Sequence, residues 1–222
     1  MDKTRTAAAW LALCAGCVPA NAATAGPPPP GFVRLADVAP AIAQDMRYAG
    51  SDNFTGRPVP GYGAAQCWLR QEVAAALAAA AEEAARDGLK LVVYDCYRPP
   101  RATAAFLQWA GDAADQQMKR AYYPDIDKAD LFELGYIAKI STHSRGIAVD
   151  LGFLGRDFGT PFDRFDVASA THHPSIIGEA KANRLRLEAL MRRHGFENLR
   201  NEWWHFTFSA LKEAPVVEAE IK

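Results

Sequence analysis

The stretch "STHSRGIAVDLGF" (residues 141–153) places His143 and Asp150 seven positions apart, on either side of Gly146. Its second half, "IAVDLGF" (147–153), is rich in apolar and β-branched residues and predicts a buried strand. The glycine permits a tight bend, so His143 lies in a loop and Asp150 on the strand that follows. An imidazole and a carboxylate held in this way are two of the three protein ligands that a catalytic zinc ion needs.

A third ligand candidate is His205, in "NEWWHFTF" (201–208), three residues after Glu202. Because "WWHFTF" (203–208) predicts a strand, residues three apart would point to opposite faces. Glu202 therefore has to lie in an irregular segment at the start of the strand if it is to share a site with His205. In that position its carboxylate could take a proton from a water that attacks a carbonyl and pass it to the leaving amine.

Arg98 directly follows the predicted strand "LKLVVYDCY" (89–97) and is a candidate for stabilising an oxyanion, since a guanidinium is always charged. Each of these signals has an alternative explanation. Arg98 could pair with a surface carboxylate, the His-Gly-Asp loop could be structural, and Trp-Trp-His could be a packed core segment. Taken together, two imidazoles, two carboxylates and one arginine beside predicted strand ends favour a mononuclear zinc hydrolase.

Length and charge limit the organisation and the partners of the chain. With 222 residues it is long enough for one domain and its core, and too short for two full ones. The net charge of -1 argues against a nucleic-acid partner, which usually requires a clustered excess of Lys and Arg. We expect a small or neutral partner, whereas the oligomeric state does not follow from the sequence.

The N-terminal segment "MDKTRTAAAWLALCAGCVPANAA" has a cationic start, an apolar run too short to span a bilayer, and the small-residue pattern Ala20-Asn21-Ala22. It predicts a signal peptide over residues 1–22 and export to the periplasm. A lipid anchor at Cys17 is the alternative. The proline-rich segment that follows predicts a spacer over residues 23–31, with the folded domain at 32–222.

Cys67 and Cys96 are the cysteines that remain once the signal segment is removed. In an oxidising compartment they could form a disulfide, which would stabilise the fold by about 3 to 4 kcal/mol in the chain-entropy account. Two buried free thiols are the alternative.

The remaining pattern predicts helices over 66–87, 101–110 and 181–196 and strands over 89–97, 147–153 and 203–208. Gly88 and Gly195 are expected to end the first and the last of these helices. Because the strands and helices do not alternate regularly, an α+β fold is favoured over a parallel α/β fold.

Around the candidate site residues, the sequence resembles the VanX-type D-alanyl-D-alanine dipeptidases, relatives of the zinc D,D-carboxypeptidases and of the Hedgehog signalling domain. The resemblance runs in order from about Leu35 to Phe208. It rests on "DNFTGRPVPGY", "YDCYRPPRA" with "FLQWA", "YYPDIDK", "STHSRGIAVDL", "GTPFDRFD", "THHP" and "NEWWHF".

The resemblance implies a single domain with a central, mainly antiparallel sheet flanked by helices, and one zinc ion per chain. It implies His143, Asp150 and His205 as zinc ligands, Glu202 as catalytic base and Arg98 as transition-state stabiliser. It further implies substrate contacts from Asp163, which would receive the free amino terminus, and from Tyr48 and Ser141.

The implied activity is hydrolysis of D-Ala-D-Ala. Because the family's cytoplasmic resistance enzymes lack an export signal, we expect a role in wall turnover or salvage here rather than in vancomycin resistance. A D,D-carboxypeptidase acting on stem peptides and a non-catalytic zinc-stabilised wall-binding module are the alternatives.

Overall fold

The computed structural model describes residues 26–137 and 140–222. The predicted signal peptide, with Cys17, and the first three residues of the predicted spacer lie outside the described residues. No helix in the described part of the chain has both the length and the apolar character needed to cross a bilayer.

Within these described ranges, seven strands and five α-helices make up most of the regular structure. The strands are β1 (Phe32–Arg34), β2 (Ala43–Gln44), β3 (Trp68–Arg70), β4 (Leu91–Asp95), β5 (Ala148–Phe153), β6 (Phe196–Asn198) and β7 (His205–Phe208). The helices are α1 (Leu35–Val38), α2 (Gln71–Arg86), α3 (Pro100–Gly111), α4 (Lys119–Tyr122) and α5 (Gly178–Arg193).

The central sheet has five strands in the order β2-β4-β5-β7-β6. Only β2 runs parallel to its neighbour β4, and the other pairs are antiparallel. A separate two-stranded sheet joins β1 to β3. The architecture is therefore α+β with a mainly antiparallel sheet, as expected, and the parallel α/β alternative is wrong.

The first long helix begins later than the sequence predicts, at Gln71 instead of Gln66. Trp68, which we counted as an apolar position of the helix, lies in β3 and pairs with Arg34 of β1. Strand pairing outweighs helix propensity in this segment, because it buries both Trp68 and Leu69 almost completely. The helix ends where expected, and Gly88 has a φ of 70°, the left-handed conformation that follows many helices.

The last helix is shifted towards the N terminus relative to the prediction, and it ends at Arg193 before Gly195, which has a φ of 85°. Phe196, the last residue of the segment in which the helix was predicted, begins β6. The predicted strand at 203–208 begins at His205, because Trp203 and Trp204 belong to the preceding turn.

Two apolar clusters fill the interior. The larger one packs α2 and α5 against the sheet through residues such as Leu77, Val93, Leu151 and Leu187. The second is largely aromatic and includes Tyr48, Phe54, Phe106 and Phe165. The polar residues described below line a cavity that Tyr48, Phe54, Phe106 and Phe165 of the aromatic cluster also border.

Cys67 and Cys96 form a disulfide, with sulfur atoms 2.03 Å apart and a sequence separation of 29. This bond joins the segment before β3 to the segment after β4, and it confirms the predicted pairing. Both residues are almost completely buried.

Candidate metal centre

The central strands place three acidic or imidazole side chains in one row. Asp95 of β4 lies opposite Asp150 of β5, and Asp150 lies opposite His205 of β7. Residues directly opposite one another on antiparallel strands carry their side chains on the same face. A register shift between Val93 and Asp95 is what allows Asp95 to join this row.

His143 reaches the row from the short 3₁₀ turn Thr142–Arg145 just before β5. The turn ends at Gly146, whose φ of 71° is the left-handed conformation that lets the chain bend back into the strand. The backbone N–H of His143 donates to the Ser141 hydroxyl oxygen over 3.2 Å. Its ring Nδ1 lies 2.6 Å from the carbonyl oxygen of Cys96. With Nδ1–H donating to this carbonyl, Nε2 is the ring atom that faces Asp150 and His205.

The three ligand atoms lie close enough to share one ion. Nε2 of His143 is 3.1 Å from Nδ1 of His205 and 3.3 Å from Oδ1 of Asp150, and the last two atoms are 2.9 Å apart. Tetrahedral zinc with bonds of about 2.0 to 2.1 Å holds its ligand atoms roughly 3.3 to 3.4 Å apart. Two imidazole nitrogens and a carboxylate oxygen at this spacing fit a zinc ion with little adjustment.

The charges in this cluster are strongly coupled. Burial alone would raise the pKa of Asp150, but the charges and hydrogen bonds of His143 and His205 hold it well below its ordinary value. Burial alone would lower the pKa of His205, but the hydrogen bond and charge of Asp150 raise it. The second ring nitrogen of His205, Nε2, lies 3.3 Å from the hydroxyl of Thr207 and 3.5 Å from that of Thr142.

Glu202 lies outside the strand, in the segment 199–204 between β6 and β7. The irregular strand start that a shared site requires is therefore present, and Glu202 lines the same cavity as His205. Burial raises the pKa of the Glu202 carboxyl to about 7, against the opposing effect of His205. A carboxyl group with this pKa can both accept and release a proton near neutral pH.

Arg98 is held by a buried carboxylate. Its Nε and Nη2 donate to Oδ2 of Asp95 over 3.0 and 2.8 Å, and Nη2 lies 3.8 Å from Oδ2 of Asp150. Burial alone would lower the pKa of Arg98, but Asp95 raises it well above its ordinary value. The guanidinium is therefore a fixed cation at the edge of the metal-ligand cluster, and the surface ion pair considered above is wrong.

Asp163 and Tyr48 form a buried pair. The Tyr48 hydroxyl donates to Oδ2 of Asp163 over 2.7 Å. Burial raises the pKa of Asp163 well above its ordinary value, and the hydrogen bond from Tyr48 only partly opposes this shift. Asp163 also has a φ of 62°, the only positive φ of a non-glycine residue within the described ranges. Burial, together with the charge of Asp163, raises the pKa of Tyr48, which keeps its proton.

One cavity of about 540 Å³ brings all of these groups together. Its lining includes each of the eight residues that the sequence suggested, namely Tyr48, Arg98, Ser141, His143, Asp150, Asp163, Glu202 and His205. Their catalytic and binding roles stay predictions. The volume is in the range of small-molecule sites.

Comparison with known proteins places the chain in a family. The sequence pattern described as D-ala-D-ala dipeptidase matches residues 29–218. The chain belongs to this family. It is 40% identical to a D-alanyl-D-alanine dipeptidase of Enterococcus faecium over 79% of this chain and 90% of that protein. It is 34% identical to one from Escherichia coli over 84% of this chain and 89% of that protein.

Solved structures show only a distant likeness. A vancomycin resistance D,D-pentapeptidase, VanY, in complex with zinc superposes with a TM-score of 0.42 at 17% identity, covering 67% of this chain and 76% of that chain.

The sequence did not indicate Asp95 as a candidate site residue of this dipeptidase family member. Its Oδ1 accepts hydrogen bonds from the Tyr62 hydroxyl and from the Cys96 N–H, at 2.6 and 2.9 Å, while Oδ2 holds Arg98. Oδ2 also lies 3.5 Å from Nδ1 of His143. The available signal was a carboxylate in the otherwise apolar strand "LVVYD", because a buried charge requires partners.

Proposed function

We propose that this member of the dipeptidase family is an exported zinc enzyme that hydrolyses D-Ala-D-Ala to two D-alanines. The observation that carries the proposal is the convergence of three metal donors, one carboxyl group and one guanidinium on a single cavity. The relatives at 34–40% identity support the same reaction.

His143 through Nε2, Asp150 through its carboxylate and His205 through Nδ1 would hold the zinc. When bound, zinc supplies Lewis-acid chemistry, polarising a carbonyl and lowering the pKa of water from 15.7 towards about 7. The protein's part is to fix the two imidazole donors, through the hydrogen bond between His143 and Cys96 and through the hydroxyls beside His205.

Glu202 would move the proton. Its carboxylate accepts a proton from the water that attacks the scissile carbonyl carbon, and it delivers that proton to the amine nitrogen as the C–N bond breaks. A pKa of about 7 suits both transfers at neutral pH. The carboxyl group would begin and end the cycle in the same ionised form.

Arg98 would stabilise the oxygen that becomes negative during the attack. Asp95 fixes two nitrogens of the guanidinium by hydrogen bonds, so the cation needs little rearrangement when charge develops. The side chain also packs against the Tyr48 and Phe106 rings, with its central carbon 5.3 and 5.1 Å from their centroids. Removing a donor of this kind commonly costs on the order of 10² to 10³ in rate.

Asp163 would bind the free amino terminus of the substrate. The Tyr48 hydroxyl occupies Oδ2 and orients the carboxylate in a buried position, where a charged ammonium is the favourable partner. A longer peptide would bring a neutral amide to this place, and without a positive charge beside it the burial of Asp163 disfavours the ionised carboxylate. Tyr48 and Ser141 would border the same dipeptide pocket.

Activity against three substrates tests this proposal. Zinc-loaded protein is expected to release D-alanine from D-Ala-D-Ala, and far more slowly from N-acetyl-D-Ala-D-Ala and from a stem pentapeptide ending in D-Ala-D-Ala. Release from the pentapeptide alone would indicate a D,D-carboxypeptidase. Zinc binding without hydrolysis of any of the three would indicate a wall-binding module.

The proposed export rests on the N-terminal sequence and is supported by the disulfide, because disulfides persist mainly in oxidising compartments. Sequencing the N terminus of protein secreted by a Gram-negative host tests it. We expect a mature chain that begins at Ala23 in the periplasmic fraction. A chain that begins at a lipid-modified Cys17 would support the anchor instead.

A further inference from the structure

Arg184 of α5 is completely buried, at 0% exposure, and in the described part of the chain it forms no ion pair with an acidic side chain. Burial lowers the pKa of its guanidinium to about 10, so the side chain is charged at neutral pH. Burying a cation without a carboxylate is costly unless its donors are fully used. The oxygen atoms that surround Arg184 therefore indicate what it does.

All of these oxygens belong to one segment, residues 157–171, which we call the Asp163 loop. Nε of Arg184 donates to the carbonyl of Phe158 over 2.6 Å, and Nη2 donates to the hydroxyl of Thr160 over 3.1 Å. Nη1 donates to the carbonyls of Ala168 and Ala170 over 2.8 and 2.7 Å. The guanidinium thus ties the first part of the loop to its last part, with Asp163 between them.

Asp163 needs such support because its backbone has a φ of 62°, a conformation that non-glycine residues rarely adopt. Its carboxylate is also buried. The loop contains further internal bonds, from Ser169 to the Arg164 carbonyl at 2.7 Å and between the hydroxyls of Thr160 and Ser169 at 3.0 Å. Because the Thr160 hydroxyl also accepts from Arg184, the guanidinium is connected to these internal bonds of the loop.

We infer that Arg184 is a positioning residue for substrate recognition, which holds the Asp163 loop so that the Asp163 carboxylate meets the substrate's ammonium group. This inference rests on the proposed function, in which Asp163 binds that ammonium. Arg184 does not border the cavity and acts only through the loop. Its loss should therefore affect selectivity for a free amino terminus and leave the metal ligands in place.

The test compares kcat/KM for D-Ala-D-Ala with kcat/KM for N-acetyl-D-Ala-D-Ala in four zinc-loaded proteins: wild type, Arg184→Met, Asp163→Asn and the double variant. Arg184→Met is expected to lower this ratio about 10- to 100-fold, because a displacement of about 1 Å at a binding group has effects of that size. The change should come mainly from a higher KM for the free dipeptide. In the Asp163→Asn background, Arg184→Met should change the ratio little further.

Two variants keep the test decisive if Arg184→Met does not fold. Arg184→Lys retains the charge but lacks the planar set of donors, and Thr160→Val removes one of the four acceptors. Both should lower the ratio by a smaller factor. Leu190→Ala, in the same helix and buried, is the matched control, and it should lower the melting temperature without changing the ratio.

An unchanged ratio in Arg184→Met, or in both substitutes, would overturn the inference while leaving the proposed function intact, provided that Asp163→Asn lowers the ratio. A loss confined to kcat would also overturn it. If Asp163→Asn itself leaves the ratio unchanged, the proposed role of Asp163 fails, and this inference fails with it.

Discussion

Asp95 shows how one buried carboxylate can organise several functional groups. It accepts hydrogen bonds from Tyr62, Cys96 and Arg98, and it lies 3.5 Å from His143. The sequence indicated His143 and Arg98 as candidates because histidine commonly binds metals and arginine commonly stabilises oxyanions. Asp95 could not be assigned in the same way, since its role depends on a register shift in β4 that local sequence does not specify.

Asp95→Asn is expected to lower kcat/KM for D-Ala-D-Ala by about 10- to 100-fold, a typical cost of losing an outer-shell partner in a metal site. The amide has the shape of the carboxylate but no charge to hold Arg98. Steady-state kinetics with zinc quantified in each preparation checks this. Tyr62→Phe removes only one neutral hydrogen bond to Asp95 and should have a smaller effect; equal losses in both variants would contradict the account.

Asp163 should make folding stability depend on pH. Burial raises its pKa in the folded protein, so the folded state keeps a proton that the unfolded chain has already released. The stability contributed by this proton is present below the ordinary aspartate pKa and is lost as pH rises through the raised value. The groups that influence Asp163 are Tyr48, Arg98, Asp150 and Glu202.

Asp163→Asn should remove this dependence. The difference in melting temperature, variant minus wild type, is expected to become more positive between pH 4 and pH 8, because only the wild type loses the contribution of the Asp163 proton. Taking the difference removes the effect of other titrating groups, which are present in both proteins. Thermal melts of the two proteins across that range measure it. A difference that stays constant or moves in the opposite direction would show that Asp163 is ionised throughout in the folded protein.

At the level of elements, the site depends on three adjacent strands in register. β4, β5 and β7 contribute Asp95, Asp150 and His205 to one row. The strands themselves follow from apolar, β-branched runs, and the sequence predicted each of them within a few residues. Their pairing did not follow, since β4 and β5 are separated by more than 50 residues of chain and local sequence does not fix such contacts. The predicted helix start at Gln66 was wrong for a related reason, because pairing of β3 with β1 outweighed helix propensity.

The disulfide fastens the chain at the end of β4, where the Cys96 carbonyl accepts a hydrogen bond from His143. Replacing both cysteines, as Cys67→Ala with Cys96→Ala, should destabilise the fold by about 3 to 4 kcal/mol. For a chain of this size that corresponds to a fall of roughly 6 to 16 °C in melting temperature. Differential scanning calorimetry is the measurement.

A reducing agent provides the control for the disulfide. It should lower the melting temperature of the wild type towards that of the double variant and have no effect on the double variant itself. A wild type that melts at the same temperature with and without complete reduction would show that the bond contributes nothing to stability.

At the scale of the whole molecule, the described residues form two apolar clusters. The helices α2 and α5 pack through aliphatic side chains in one cluster, while the aromatic cluster borders the cavity. The family resemblance predicted the fold class and the candidate residues from the sequence alone. The support for Asp163 by a buried arginine was not predictable from the sequence. An arginine in a helix is normally expected at the surface, whereas the Asp163 loop covers Arg184 and accepts its hydrogen bonds.

In the proposed mechanism, three side chains hold one zinc ion while Glu202 transfers the proton. The decisive variant is Glu202→Ala, with bound zinc and D-alanine release from D-Ala-D-Ala measured on the same preparation. We predict one zinc per chain, as in the wild type, and a turnover lower by roughly 10² to 10⁴. Full turnover in this variant, with its zinc in place, would contradict the account.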